Sequence, residues 1–163
     1  MNHRSNVSVT AFLLPGALLT FWLGFWHPSA VAEEKTPARL EAEYDQESNP
    51  KKRVKLAIEL TDERLKQLRS AYETEDAGKE TAEMENYLSA IDRLEKAVKE
   101  PSASDSKDAE IRLRRQALAL ENLKMNVSYV DRPSVEKTLA RVEKLHEEVL
   151  SSIMNPHKRT AKQ

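Results

Sequence analysis

His146 is the best candidate for a metal-binding or catalytic side chain beyond residue 32, where the only other histidine is His157. A zinc-protease helix needs the pattern His-Glu-x-x-His, which places two ligands on one helical face. Here His146-Glu147-Glu148-Val149 is followed by Leu150, so the second ligand is missing. Glu143 precedes His146 at the spacing of a di-iron helix, but that site needs a second such pair and two further glutamates. We therefore favour a packed histidine with one edge in water.

Other kinds of active site lack their residues as well. A nucleophilic site needs a serine or cysteine beside a base that a third group orients, and this chain has no cysteine and one candidate histidine. Acidic and basic residues four apart, such as Glu95–Lys99 and Glu110–Arg114, are typical of solvated helix surfaces. A haem held by His146 with Met84 or Met125 is a further hypothesis. Our prediction is no enzyme, no catalytic residue, no metal and no cofactor.

Residues 1–32 have the order of a secretory signal peptide. Arg4 gives a positive start, residues 11–26 are an apolar run, and Ala30-Val31-Ala32 supplies the small residues of a cleavage site. The apolar run of 16 residues is shorter than the roughly 20 that span a bilayer. We predict cleavage after Ala32 and export to the periplasm or the extracellular side of a bacterial cell envelope. Membrane contact is expected only through this segment, if it stays uncleaved.

Residues 33–163 would then form the mature chain, and their composition is typical of helices. Four tyrosines are its only aromatic residues, it has one glycine, and it has no cysteine for disulfide bonds. It carries 27 acidic and 25 basic residues. A net-acidic exported chain without interleaved aromatic residues is not expected to bind nucleic acid.

Apolar residues at helical spacing predict four long helices, over about 50–72, 84–98, 105–130 and 133–155. A phase break around Gly78 predicts a chain reversal within residues 73–83, so that the first two helices form a hairpin. The expected fold is all-α: an antiparallel helical bundle of two helical hairpins, over residues 50–154. Residues 33–49 are an acidic leader or a short helix carrying Leu40 and Tyr44, and residues 155–163 are a basic tail expected to be disordered.

The third predicted helix is apolar on two sides. One stripe consists of Leu113, Ala117, Leu120, Leu123, Val127 and Val130. At 100° per residue a second stripe lies nearly opposite, and it consists of Ile111, Leu118, Met125 and Tyr129. Because a helix with two apolar faces needs two neighbours, this helix is either the most buried one or offers its second stripe to a protein partner or to self-association.

The run Lys51-Lys52-Arg53 stands at a helix start, where the helix dipole disfavours cations. One interpretation is an anionic partner, such as a phospholipid head group or a cell-wall polymer. The other, which we favour, is pairing with the acidic residues 33–49.

Two short stretches resemble known families. Pro50, Arg53, Leu56-Ala57, Glu59-Leu60 and Arg64-Leu65 are spaced so that residues 50–65 look like the opening of uncharacterised helical-hairpin domains of exported or membrane-anchored bacterial proteins. That resemblance implies a fold and no activity. Leu60-Thr61-Asp62-Glu63-Arg64 resembles the Leu-Thr-x-x-Gln motif of periplasmic stress chaperones of the CpxP and Spy type, although Arg64 replaces the glutamine and no second copy is present.

These observations predict a non-catalytic interaction or scaffold protein of the bacterial cell envelope. It would bind protein through the third helix or through the acidic hairpin tip at 73–83. The alternative is a periplasmic chaperone-like protein that binds unfolded or apolar clients.

Overall fold

The computed structural model describes residues 35–74, 76–100 and 106–155. Five helices lie in these ranges: α1 Pro37–Gln46, α2 Pro50–Glu73, α3 Ala77–Val98, α4 Ser106–Asn126 and α5 Arg132–Met154. Since the described residues contain no strand, the prediction of an all-α fold is confirmed. The predicted signal peptide and, apart from Asn155, the predicted basic tail lie outside the described residues.

Both N-terminal helices begin at a proline, whose fixed φ suits the first turn of a helix. The side-chain oxygen of Asn49 caps α2 by accepting hydrogen bonds from the backbone N–H groups of Lys51, at 3.0 Å, and Lys52, at 3.4 Å. Of the two alternatives for residues 33–49, the structure has the helix, because α1 buries Leu40 and Tyr44. The acidic leader is thus folded onto the bundle over most of its length.

The reversal between α2 and α3 is shorter than the predicted 73–83. Asp76 caps α3, since its carboxylate accepts hydrogen bonds from the backbone N–H groups of Gly78, at 3.1 Å, and Lys79, at 3.2 Å. This cap starts the helix at Ala77, so the reversal lies within the predicted range, but residues 77–83 are helical and the predicted start of the second helix at 84 is wrong by seven residues.

The four long helices form two hairpins that pack side by side. α2 packs along α3 and α4 along α5, and the hairpins meet where α2 contacts α4 and α3 contacts α5. Thr138, Arg141 and Glu148 of α5 contact, in the same order, Met84, Asp92 and Lys99 of α3, so these two helices run parallel. The predicted bundle of two antiparallel hairpins is confirmed, and α1 is added on the first hairpin, where Leu40 packs with Leu60 and Ala90.

Aliphatic side chains fill the core, and Tyr87 is the largest of the fully buried side chains. The apolar side chains that recur every three or four residues along α2, α3 and α5 face this core. The prediction that Val130 continues the first apolar stripe of the third helix is wrong, because this side chain is 84% exposed. α4 ends at Asn126, where Ser128 and Asp131 hydrogen-bond to each other and turn the chain toward α5. Within the described ranges, no helix is both long and apolar enough to cross a bilayer.

Candidate functional site

The second apolar stripe of α4 faces solvent. Ile111 is 36% exposed, Leu118 58%, Met125 74% and Tyr129 84%, so the alternative in which this stripe is buried inside the chain is wrong. Ile111, Leu118 and Met125, here called the outer row, recur every seven residues and span about 21 Å of α4 at 1.5 Å per residue. Tyr129 lies beyond the end of α4, in the turn toward α5, and is not part of the helix.

The centre of the outer row lies on the face of α4 opposite the core, and Ile111 at its N-terminal end also lines a groove with Ile58 and Glu59 of α2. At 100° per residue the centre of the row lies about 180° from that of the buried side chains of the same helix, Leu113, Gln116, Leu120 and Leu123. Five of the seven exposed large apolar side chains in the described residues belong to α4 or to the turn after it. Among the described residues, the exposed large apolar side chains are therefore concentrated on α4 and the turn that follows it.

Charged side chains flank the outer row on both sides. Arg114 and Glu121 lie on one flank, Arg115 and Asn122 on the other, and all four are exposed. The expected pair between Glu110 and Arg114 is wrong, because Glu110 contacts His146 instead. Within the described residues neither Arg114 nor Glu121 forms an ion pair, so both charges are available to a molecule that covers the row.

A buried polar network holds α4 from its inner side. The Tyr87 hydroxyl donates to Oε1 of Gln116 at 2.9 Å, and Nε2 of Gln116 donates to the Thr61 hydroxyl at 2.9 Å and to the Asp62 carboxylate at 2.8 Å. Asp62 also pairs with Arg112 at 3.1 Å. Burial, with a smaller effect of the Asp62 charge, raises the pKa of Tyr87 above its ordinary value.

This network fixes the rotation of α4, because a turn of the helix would break bonds to both α2 and α3. The outer row is thereby kept facing outward. Gln116 was not among the predicted site residues. It completes the core seam of α4, three residues after Leu113 and four before Leu120, and that position was the signal available in the sequence.

His146 pairs with a carboxylate of the neighbouring helix. Its Nε2 lies 2.9 Å from Oε1 of Glu110, and both side chains are mostly buried between α4 and α5. No group of three or more potential ligands occurs among the described residues. Met84 contacts Thr138, which precedes His146 by about 12 Å along α5, and Met125 is exposed near the far end of α4. The haem hypothesis therefore lacks a place where its ligands meet.

The basic run at the start of α2 is largely paired within the chain. Lys52 lies 3.8 Å from Glu47, Arg53 lies 2.7 Å from Glu100, and the Arg53 guanidinium sits 4.9 Å from the centre of the Tyr44 ring. These contacts favour the interpretation in which the run holds the N-terminal segment. Lys51 and Lys52 are both exposed, and Lys51 is the one member of the run without an ion pair among the described residues.

Arg64, which replaces the glutamine of the chaperone motif, also holds α1. Its guanidinium lies 2.8 Å from Glu41 of α1 and 3.8 Å from Glu83 of α3. The side chain is mostly buried. In this structure the position thus connects α1 to the first hairpin.

A groove of about 420 Å³ lies between α3, α5 and the turn before α5, lined partly by Tyr72, Met84, Leu88 and Arg141. Burial, followed by the negative charges of Asp131 and Glu80, raises the pKa of Tyr72 to about 12. The described part of the predicted hairpin tip at 73–83 contributes no large exposed apolar side chain. Neither the groove nor the hairpin tip offers a row of exposed apolar side chains like that of α4.

The outer row and its charged flanks are the arrangement best suited to binding another molecule. They form a convex surface with an apolar centre and a charged rim, which resembles the layout of protein interfaces. No protein-family model matches the chain, and neither a curated protein nor a solved structure is significantly similar to it.

Proposed function

We propose that this protein is a non-catalytic interaction or scaffold protein of the bacterial cell envelope that binds a protein partner through α4. The observation that carries the proposal is the exposure of Ile111, Leu118 and Met125 on the face of α4 opposite the core. Export and removal of residues 1–32 are part of the proposal and rest on the sequence pattern of that segment.

The size of the apolar surface supports a binding role. Scaling the exposed fractions of the three side chains of the outer row by about 200 Å² for a fully exposed large side chain gives about 340 Å². Contiguous apolar patches of about 300–600 Å² are the largest that a soluble monomer usually shows, and they often mark interaction sites. The fixed rotation of α4 adds to this, since a preorganised surface loses less entropy on binding.

The shape of the surface favours a specific partner over the chaperone alternative. A holdase needs an adaptable apolar cradle, whereas the outer row lies along one convex helix backed by a hydrogen-bonded core. The groove between α3 and α5 is concave, but charged residues such as Glu85, Lys137 and Arg141 contribute to its lining. The chaperone-like function is therefore our second candidate, supported only by the resemblance of residues 60–64 to the chaperone motif.

Site-specific photo-cross-linking in cells that express the full chain tests the proposal. A photoreactive residue at Leu118 is expected to give a discrete protein adduct, because a partner covers the outer row. The matched control is the same residue at Lys96, an exposed position on α3, where no such adduct is expected. Absence of an adduct at Leu118, or equal adducts at both positions, would contradict the proposal.

A further inference from the structure

We infer that the partner which covers the outer row is a second copy of this chain, docked with its α4 antiparallel about a two-fold axis at Leu118. This inference rests on the proposed function, since it specifies what binds that surface. It is carried by the spacing of the row and by the order of the charges on its flanks.

The outer row is symmetric about its middle residue. Ile111 precedes Leu118 by seven residues and Met125 follows it by seven. In an antiparallel pair centred on Leu118, the two copies of that residue meet at the axis, and Ile111 of each copy meets Met125 of the other. Each exposed apolar side chain of the row then packs against another one, as the self-complementarity of a two-fold interface requires.

The flanks follow the same symmetry. Arg114 and Glu121 lie on one side of the row, at about 40° and 60° from its centre, and four and three residues from Leu118. Antiparallel pairing places Arg114 opposite Glu121 of the second copy, and the axis repeats this contact. On the other flank Arg115 meets Asn122 of the second copy, a neutral hydrogen-bonding side chain. Arg114 and Glu121, neither of which forms an ion pair within the described monomer, thus complement each other.

The charge order disfavours the parallel arrangement. In a parallel pair about the same row, one flank of α4 faces the opposite flank of the second copy. Arg114 would then lie beside Arg115 of the second copy, twice, while Glu121 would lie beside Asn122. Like charges at an interface suppress that pairing, so the flanks select the antiparallel orientation.

The apolar area sets the expected affinity. The outer row exposes about 340 Å² of apolar side chain per copy, well below the roughly 800 Å² of total surface that each partner contributes to a standard stable interface. A reversible dimer with a dissociation constant in the micromolar range is therefore expected, on the order of 1–100 µM. A permanent dimer is not expected.

Introduced cysteines test the orientation, because the chain has no cysteine of its own. In protein isolated from cells that express the full chain, mild oxidation should link Leu118→Cys to itself. Met125→Cys should not self-link, since its two copies would lie about 21 Å apart and a disulfide needs Cα atoms within about 7 Å. A mixture of Ile111→Cys and Met125→Cys should link. Efficient self-linking of Met125→Cys would overturn the antiparallel arrangement.

A charge exchange tests the interface by sedimentation. Arg114→Glu and Glu121→Arg should each weaken dimerisation about tenfold, which corresponds to about 1.4 kcal/mol. Mixing the two variants should restore a heterodimer, because the side chain introduced by Arg114→Glu in one chain then faces the one introduced by Glu121→Arg in the other. Both side chains are exposed, so the fold should persist, as circular dichroism can verify. A monomer at all concentrations, or a mixture no tighter than the single variants, overturns the inference. If Leu118 nonetheless cross-links to a different protein in cells, the proposed function stands and only this inference fails.

Discussion

The Tyr87 hydroxyl donates a hydrogen bond to the side-chain oxygen of Gln116, 2.9 Å away, and so connects α3 of the first hairpin to α4 of the second. Gln116 is 2% exposed, and its side-chain N–H donates a second hydrogen bond to the hydroxyl of Thr61 in α2. Aliphatic packing tolerates small rotations of a helix, but these directional bonds do not. The network therefore determines which face of α4 the protein presents to solvent.

Tyr87→Phe should lower the free energy of unfolding by about 1–2 kcal/mol, because Oε1 of Gln116 is left buried without a donor. Urea unfolding monitored by circular dichroism measures the change. Tyr129→Phe is the matched control, and since its side chain is 84% exposed it should leave the urea midpoint unchanged. Equal effects of the two substitutions would show that the network does not stabilise the fold.

Leu118 and Leu120 provide a matched pair on one helix. Leu118→Asp should change the free energy of unfolding by no more than about 0.5 kcal/mol, because the side chain is exposed. Leu120→Asp should cost more than about 3 kcal/mol or unfold the protein, since it buries a carboxylate in an aliphatic core. Thermal unfolding of the two variants checks this. A strongly destabilised Leu118→Asp would mean that the outer row belongs to the core.

Arg64→Ala should loosen α1 from the first hairpin. The substitution removes the contacts of Arg64 with Glu41 and Glu83, so we expect α1 to lose about 1–2 kcal/mol of protection against hydrogen exchange. Arg69→Ala, at an exposed position of α2, should leave the exchange of α1 unchanged. Mass spectrometry of peptic fragments from α1 and α5 separates this local effect from a global loss. Equal acceleration in both fragments would contradict a local role.

Alkaline pH should destabilise the protein in a way that depends on Tyr72. The pKa of its phenol is raised to about 12 in the folded protein, against about 10 in the unfolded chain. The unfolded state therefore releases this proton first, and stability falls as pH rises from about 10 to about 12. In the Tyr72→Phe variant, the urea midpoint should decline less steeply over that window. Between about pH 7 and 9, its dependence on pH should parallel that of the wild type. Parallel curves up to about pH 12 would contradict this.

Regular spacing of apolar residues was sufficient to predict most of the fold. The four long helices were predicted from apolar side chains at helical spacing, and α2 begins at Pro50, where the first of them was expected to start. The errors lie where a single polar contact decides a boundary. Asp76 caps α3 earlier than the glycine pattern suggested, and Ser128 with Asp131 ends α4 before the apolar stripe runs out.

The four residues of the second stripe of α4 were predicted as a set, but their exposure was not. A helix with two apolar faces is compatible with either a buried or an open second face, and only the position of α2 and α5 relative to α4 decides between them. Gln116 was missed because apolar counting passes over a polar residue in a core position. Its partners Tyr87 and Thr61 are distant in sequence, so no local pattern reveals the network.

Thiol labelling of Leu118→Cys tests the central claim, that a partner covers the outer row, most directly. The labelling rate in intact cells is compared with the rate in dilute purified protein, and Lys96→Cys on the exposed face of α3 serves as the reference. We expect Leu118→Cys to react at least about fivefold more slowly in cells than when purified, relative to Lys96→Cys, because a bound partner restricts access to the thiol. If the two positions keep the same relative rates in cells and in dilute solution, the outer row is uncovered, and α4 is not the binding surface of this protein.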